Sequence, residues 1–460
     1  MDITDRKPVK RLLLLLALGG IPFGYYLAIL NPLGGPLFFD VYKMTPDEEL
    51  TAHSTANMLF SLGAMLGVLF CGKAADHYGR RKMIIVYDIS TIVCVLLHVV
   101  KNIYVFYFGR LLIGVIASGS SAVVSIVMAE IMPKRISGVG AAFYLTIATS
   151  FVFLSYIQQN IFSKETLVEH WRIIFAWPLL FILPKAILTP MVMRTDTPKY
   201  YMAKHSEDED LKDQLSAIFS ITHQQVEIDA RVEEVIRLYH ASSSKGKAMG
   251  FADLFQWDIF SRVIASLSIG VTQQLSGVGF VTLYSTDLFN RIDGSGKEAT
   301  LFVAFAKASG GIISLWFMRN YGRKLNMMYG NFMQGISLIC LILASGAELN
   351  IISYISVFFF AIGFAIGTGS AFYCYCAETL PPVGVSAVVA TTWFLNAMVG
   401  RFAPVVAKLI GDVPLLTTFA VSCIVSVFVL DFALVETKDK SEEEIIYAFK
   451  NKEHKLLDLE

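Results

Sequence analysis

Twelve apolar runs punctuate the chain, six before a polar stretch at 194–260 and six after it, and no other feature restricts the fold as tightly. They lie near 12–30, 54–75, 83–100, 103–128, 137–158 and 173–193, then near 263–288, 299–318, 325–345, 350–377, 384–410 and 414–434. Each is long enough to cross ~30 Å of hydrocarbon as a helix. Apolar residues make up 55% of the 460 and charged ones 17%, too greasy a balance for a soluble protein of this length. The chain is therefore read as an all-α membrane protein embedded in a lipid bilayer. An even number of spans puts both termini on one side.

The two groups of six resemble each other. Ala129-Glu130-Ile131-Met132-Pro133 returns 248 residues later as Ala377-Glu378-Thr379-Leu380-Pro381. Gly79-Arg80-Arg81-Lys82 is echoed by Gly322-Arg323-Lys324 after 243 residues, and Asp196-Thr197-Pro198-Lys199 by Glu436-Thr437-Lys438 after 240. Duplicated halves in a strongly apolar chain point to a transporter whose substrate lies between them.

Basic residues orient the spans, because Lys and Arg favour short cytoplasmic loops. Arg6, Lys7, Lys10 and Arg11 precede the first run, Arg80 to Lys82 follow the second, Lys134 and Arg135 the fourth, and Arg319, Arg323 and Lys324 the eighth. These loops and both termini are expected on the cytoplasmic face of a plasma or organellar membrane, or its equivalent. Asp40, Asp47, Glu48 and Glu49 mark the first loop on the other side. A formal net charge of zero gives no support for nucleic acid as a partner. The six cysteines fall in or beside the runs, where they read as small packing residues rather than a disulfide framework. The start from Met1 to Arg11 has the charge of a signal peptide but no evident small-residue cleavage site, so it is read as leading into the first span. No Asn-x-Ser/Thr acceptor occurs.

The polar stretch carries an acidic cluster at Glu207, Asp208, Glu209 and Asp210 and a helix-forming segment from Val226 to Tyr239, and reads as short solvated helices linking the halves. The tail from Glu436 is expected to be helical from Ser441 to Phe449.

Several motifs carry a resemblance. Gly72-Lys73-Ala74-Ala75-Asp76-His77-Tyr78-Gly79-Arg80-Arg81-Lys82, between the second and third runs, resembles the signature loop of the major facilitator superfamily. Gly109-Arg110, Glu130-Ile131-Met132-Pro133, Asp196-Thr197-Pro198-Lys199-Tyr200, Gln273-Gln274-Leu275-Ser276-Gly277 and Val435-Glu436-Thr437-Lys438 follow in order. With Ala17 to Gly20 and Phe23-Gly24-Tyr25 in the first run, the whole is similar to the sugar porter family of that superfamily, as a divergent member.

The resemblance implies the major facilitator fold: twelve transmembrane helices in two pseudo-symmetric six-helix bundles, with a midplane site and one bundle rocking against the other. The expected division is a bundle at 1–193, a cytoplasmic linker at 194–260, a second bundle at 261–435 and a tail at 436–460. It also implies gating by cytoplasmic arginine–glutamate pairs, here Asp76, Arg80, Arg81, Arg110 and Glu130 in the first half and Arg323 and Glu378 in the second. The alternative is that these pairs only staple helix ends.

Departures from the family are as informative. Tyr26 stands where proton-coupled relatives carry an aspartate and facilitators an asparagine, and a phenol of pKa ~10 cannot cycle a proton near neutrality. Of the substrate-binding positions, Gln273, Gln274, Trp393 and Asn396 are kept, Tyr373 replaces a tryptophan, Leu145 a glutamine, and Gly279 an asparagine. Lys307 takes the place of another asparagine, so a cation lies mid-span. It requires a cavity, a ligand or a buried acid as partner, and the readings of an anionic substrate and a structural pair both remain open. Arg319, Ser137 and Val385 break the gating pattern and suggest that the second lock is weak or rewired.

These features lead to a carrier for a small polar solute, hexose-like sugar or polyol, by alternating access, facilitative rather than proton-coupled. Two alternatives stand beside it: a non-transporting structural or sensing subunit with membrane-complex partners, and an organic-anion carrier built on Lys307. No catalytic set, metal-ligand spacing or cofactor motif is recognised.

Overall fold

The computed structural model describes residues 7–131, 134–205, 211–220, 225–243, 250–292, 296–347 and 349–457. Met132 and Pro133 of the first repeated motif, Arg6 and the Glu207–Asp210 cluster lie outside them, as do the side chains of Lys134, Arg135 and Ser137.

Ten helices among the described residues are long and apolar enough to cross a membrane. They are the first span Val9–Val41, second Pro46–Tyr78, fourth Ile103–Met128, sixth Trp171–Val192, seventh Trp257–Arg291, eighth Gly296–Asn320, ninth Arg323–Ser345, tenth Ile351–Thr379, eleventh Pro382–Ile410 and twelfth Asp412–Ala433. The third and fifth expected spans are helices too, Arg80–His98 and Lys134–Ile161. Arg80, Arg81, Lys82 and Asp88 make the third the more polar of the two. Many large side chains on these helices point outward, such as Leu180, Ile312, Leu343 and Phe428. Helices apolar on the outside are solvated by lipid.

The polar stretch folds as Pro198–His205, Leu211–Phe219 and Gln225–Ser243 around a small core of Met202, Leu215, Ile218, Phe219, Ile228 and Val232. The tail helix runs from Glu442 to Leu457, with Ser441 and Glu444 exchanging hydrogen bonds as an N-terminal capping box.

The chain divides into two compact units, one of residues 1–26, 66–151 and 171–248, the other of 27–65, 152–170 and 249–460. The first, second and fifth spans therefore contribute to both. In the first unit Asp88 and Lys185 form a buried ion pair, and Thr189 donates to the same carboxylate at 2.8 Å. In the second, the core gathers the seventh to twelfth spans with Val152 and Tyr156 of the fifth.

The internal repeat is visible in the local geometry. Asp196 accepts hydrogen bonds from the backbone N–H of Arg80 at 3.0 Å and of Arg81 at 3.2 Å, closing the N-terminus of the third span. Glu436 does the same for Arg323 at 2.8 Å and Lys324 at 3.2 Å at the start of the ninth. A carboxylate on exposed N–H groups at a helix start is a charge-assisted cap.

Candidate functional site

The seventh span is interrupted twice. Trp257–Leu275 and Val278–Ile292 are separate helices, joined through Gly277 at φ 78°, and Tyr284 at φ −136°, ψ 18° breaks the second. A positive φ favours glycine at the first break. Gln273 and Gln274 thus occupy the last turn of a helix, where the usual backbone partners run out.

Gln273 donates through Nε2 to the Thr368 carbonyl at 3.4 Å. That carbonyl is offered by a break in the tenth span, a π-helical stretch Ala365–Gly369 in which Gly367 leaves helical geometry. Gln274 is 5% exposed, and its Oε1 has no hydrogen-bond partner among the described residues. Beside it is Gly279: a Cβ built there would lie 3.4 Å from Gln274 Oε1 and 3.6 Å from both polar atoms of the Asn396 amide. Asn396 Oδ1 accepts from the Ser61 hydroxyl at 3.4 Å. Trp393, one turn earlier, meets the edge of Phe60 with ring centroids 6.5 Å apart. Gln274, Gly279, Asn396 and Ser61 therefore lie together as a cluster of amide and hydroxyl groups, with the Trp393–Phe60 pair next to it.

Lys307 is attached to the second break. Its Nζ donates to Thr282 Oγ1 at 2.6 Å. The Thr282 carbonyl accepts from Asn31 Nδ2 at 2.8 Å and from the Tyr156 hydroxyl, and the Thr286 N–H donates to Asn31 Oδ1 at 3.0 Å. In an unbroken helix Thr286 N–H would bond Thr282 C=O. The Asn31 amide takes both halves of that missing bond. The buried acid of the third span, Asp88, is taken by Lys185.

Tyr26 belongs to the other unit. Its hydroxyl donates to the Phe175 carbonyl at 2.7 Å, its own carbonyl accepts from Arg110 Nη1 at 2.6 Å, and His98 lies on its ring at 5.6 Å. Tyr373 is 48% exposed and packs on Phe372.

The expected gate residues fall into two clusters and one exception. Arg80 reaches Asp76 at 2.7 Å and Glu130 at 3.2 Å, and Arg81 donates to the carbonyls of Met193 and Pro190. Arg323 reaches Glu378 at 2.6 Å, and the Thr437 hydroxyl donates to the other oxygen of the same carboxylate at 2.6 Å. Arg319 is exposed, and its carbonyl accepts from Lys438 Nζ at 2.8 Å. Arg110 is the exception. It is fully buried on Tyr26, 20 residues before Glu130 on one helix. At 1.5 Å per residue that is ~30 Å, so Arg110 cannot join the Glu130 cluster. The fourth span runs back toward the Arg80 loop, which puts its early residues at the far end.

Sequence reading passed over Asn31, Ser61, Tyr156, Thr282 and Lys185. A polar residue inside an apolar run is the signal that would have found the first and last.

Twelve helices with these interrupted spans and repeated loop clusters define a membrane transporter of the major facilitator fold. The inward open conformation of the xylose transporter XylE from E. coli superposes with a TM-score of 0.77 at 17% identity, covering 95% of this chain and 99% of that one. Its partially occluded inward open conformation gives 0.76 at 16% identity, over 95% of this chain and 100% of that one. The family model for sugar (and other) transporters matches residues 12–449, and the chain belongs to that family, as a divergent sugar porter. Among relatives, Facilitated glucose transporter protein 1 of Caenorhabditis elegans is 26% identical over 425 residues, 85% of this chain and 81% of that protein. Sugar transporter ERD6-like 6 of Arabidopsis thaliana is 25% identical over 456 residues, 95% of this chain and 89% of that protein.

Proposed function

We propose that this chain carries a neutral, hydroxyl-rich solute, a hexose-like sugar or a polyol, across its membrane by facilitated alternating access. The observation that carries the reading is the buried Gln274 Oε1, without a partner among the described residues, beside Gly279 and the Asn396 amide. A buried acceptor left without a donor costs ~1–3 kcal/mol, and a substrate hydroxyl relieves that cost. Amides both donate and accept, as a hydroxyl does, so they suit a neutral polyol better than a charged ligand.

Facilitation rather than proton coupling is supported at Tyr26. There Arg110 bonds a backbone carbonyl, and the adjoining hydroxyl is already committed to Phe175. The two arginine–glutamate clusters act as gate pairs on the cytoplasmic face, one at the base of each six-helix bundle, and the 194–260 segment links the bundles.

The test is counterflow in proteoliposomes with a panel of hexoses, pentoses and polyols, with and without a proton ionophore. Saturable exchange indifferent to the ionophore is expected. Absence of exchange for every sugar and polyol would overturn the substrate class, and loss of accumulation with the ionophore would overturn facilitation.

A further inference from the structure

His53 sits where the first, second and seventh spans meet in the second unit, and it is 1% exposed. Its ring lies flat on Gly34, where any side chain would overlap it, and its centroid is 4.9 Å from that of Tyr284 and 6.0 Å from that of Phe38. Nδ1 is 3.6 Å from Glu49 Oε1 and 3.8 Å from Asp287 Oδ2. Both separations exceed a hydrogen bond. Nε2 has no partner among the described residues.

The surrounding charges are otherwise engaged. Arg291 flanks Asp287 but is held by Asp412 through two contacts, at 3.0 and 2.9 Å. Arg401 of the eleventh span faces Tyr284 and donates to the Ser54 hydroxyl at 2.9 Å. Asp40 of the first span pairs with Lys164 at 3.0 Å.

With a neutral imidazole, Glu49 and Asp287 present two negative charges to each other across the junction. An imidazolium gives each carboxylate an ion pair through one shared proton. Glu49 lies on the second span and Asp287 on the seventh, so that proton ties two spans together. It does so within a turn of the break at Tyr284, at the end of the second span opposite the Arg80 loop.

We propose that His53, Glu49 and Asp287 form a proton-binding site that latches the second and seventh spans at the face away from the arginine–glutamate clusters, so that protons on that face slow substrate access. The effect on substrate rests on the transport reading above; the latch does not. The sign follows from linkage: the latched state binds one proton more, so its share rises as pH falls.

The experiment measures initial uptake in proteoliposomes buffered at the same pH on both sides, and amide hydrogen exchange over residues 46–57 corrected for intrinsic rates. In the native protein uptake should fall about three- to tenfold between pH 7.5 and 6.0, within the ~30-fold limit for one proton over that range. Exchange should slow over the same interval. His53→Gln should flatten both profiles, and so should Asp287→Asn, which carries the test if His53→Gln does not fold. Profiles that are flat in the native protein, or unchanged in a folded variant, overturn the latch. A pH-dependent exchange profile without uptake of any solute upholds the latch and overturns the transport reading instead.

Discussion

The Asp88 carboxylate and the Lys185 ammonium meet between the third and sixth spans, 5% and 2% exposed, with the Thr189 hydroxyl completing the group. Removing one member of such a pair strands the other charge away from water, at a cost of ~3–5 kcal/mol, whereas replacing both by apolar residues is close to neutral. Lys185→Met is therefore expected to lower the thermal midpoint in detergent sharply, and Asp88→Leu combined with Lys185→Met to recover most of the loss. Additive losses in the double variant would mean the two side chains do not act as a pair.

Asn31 substitutes for a backbone hydrogen bond of the seventh span. Asn31→Ala would leave the Thr282 carbonyl and the Thr286 N–H short of partners, costing ~1–3 kcal/mol. Faster amide exchange at Thr286 is the direct readout, and an unchanged rate would show that the turn closes on itself.

Gly279 and Gln274 are expected to separate binding from folding. Gln274→Ala removes an acceptor and should raise KM about tenfold, equivalent to ~1.4 kcal/mol, with little change in the unfolding midpoint. Gly279→Val should do the same by crowding the Gln274 and Asn396 amides. Kinetics of sugar exchange against thermal stability distinguish these outcomes from a general loss of fold.

Asp196 and Glu436 occupy equivalent positions, and Asp196→Ala and Glu436→Ala should each cost ~1 kcal/mol, the value of a helix cap. Because they close different helices in different units, the double variant should lose the sum, as independent sites do. Chemical denaturation in detergent measures both.

The tail helix should depend on pH through Glu444. Hydrogen bonds from the Ser441 backbone and side chain hold its carboxyl below the usual glutamate range. A depressed folded-state pKa means support that is complete above the unfolded value and lost as pH falls through the folded one. Amide exchange over residues 442–450 in the full protein, corrected for intrinsic rates, should rise below about pH 4.5 and become pH-insensitive in Glu444→Gln. A native profile without that rise would remove Glu444 from the cap.

Much of the architecture could be read from residues alone, because period, length and charge bias report directly on membrane helices. The repeated Glu-x-x-Pro and Gly-Arg motifs located both loop clusters for the same reason: each is local. Arg110 was misplaced although the spacing told against it, since 20 residues on one helix separate it from Glu130 by ~30 Å. The Tyr284 break was hidden because no glycine or proline marks it; Asn31, more than 250 residues away, makes it affordable. Lys185 escaped notice because its partner Asp88 is nearly a hundred residues earlier and nothing local pairs them.

The carboxylate of Asp196 belongs to the residues that follow the sixth span, and it fastens onto the start of the third. Both partners of that tie lie within the first two hundred residues, ahead of the second repeat in the chain. Glu436 repeats the arrangement at the far end of the chain. Each repeat thus carries its own closing clasp, made from residues of that repeat alone.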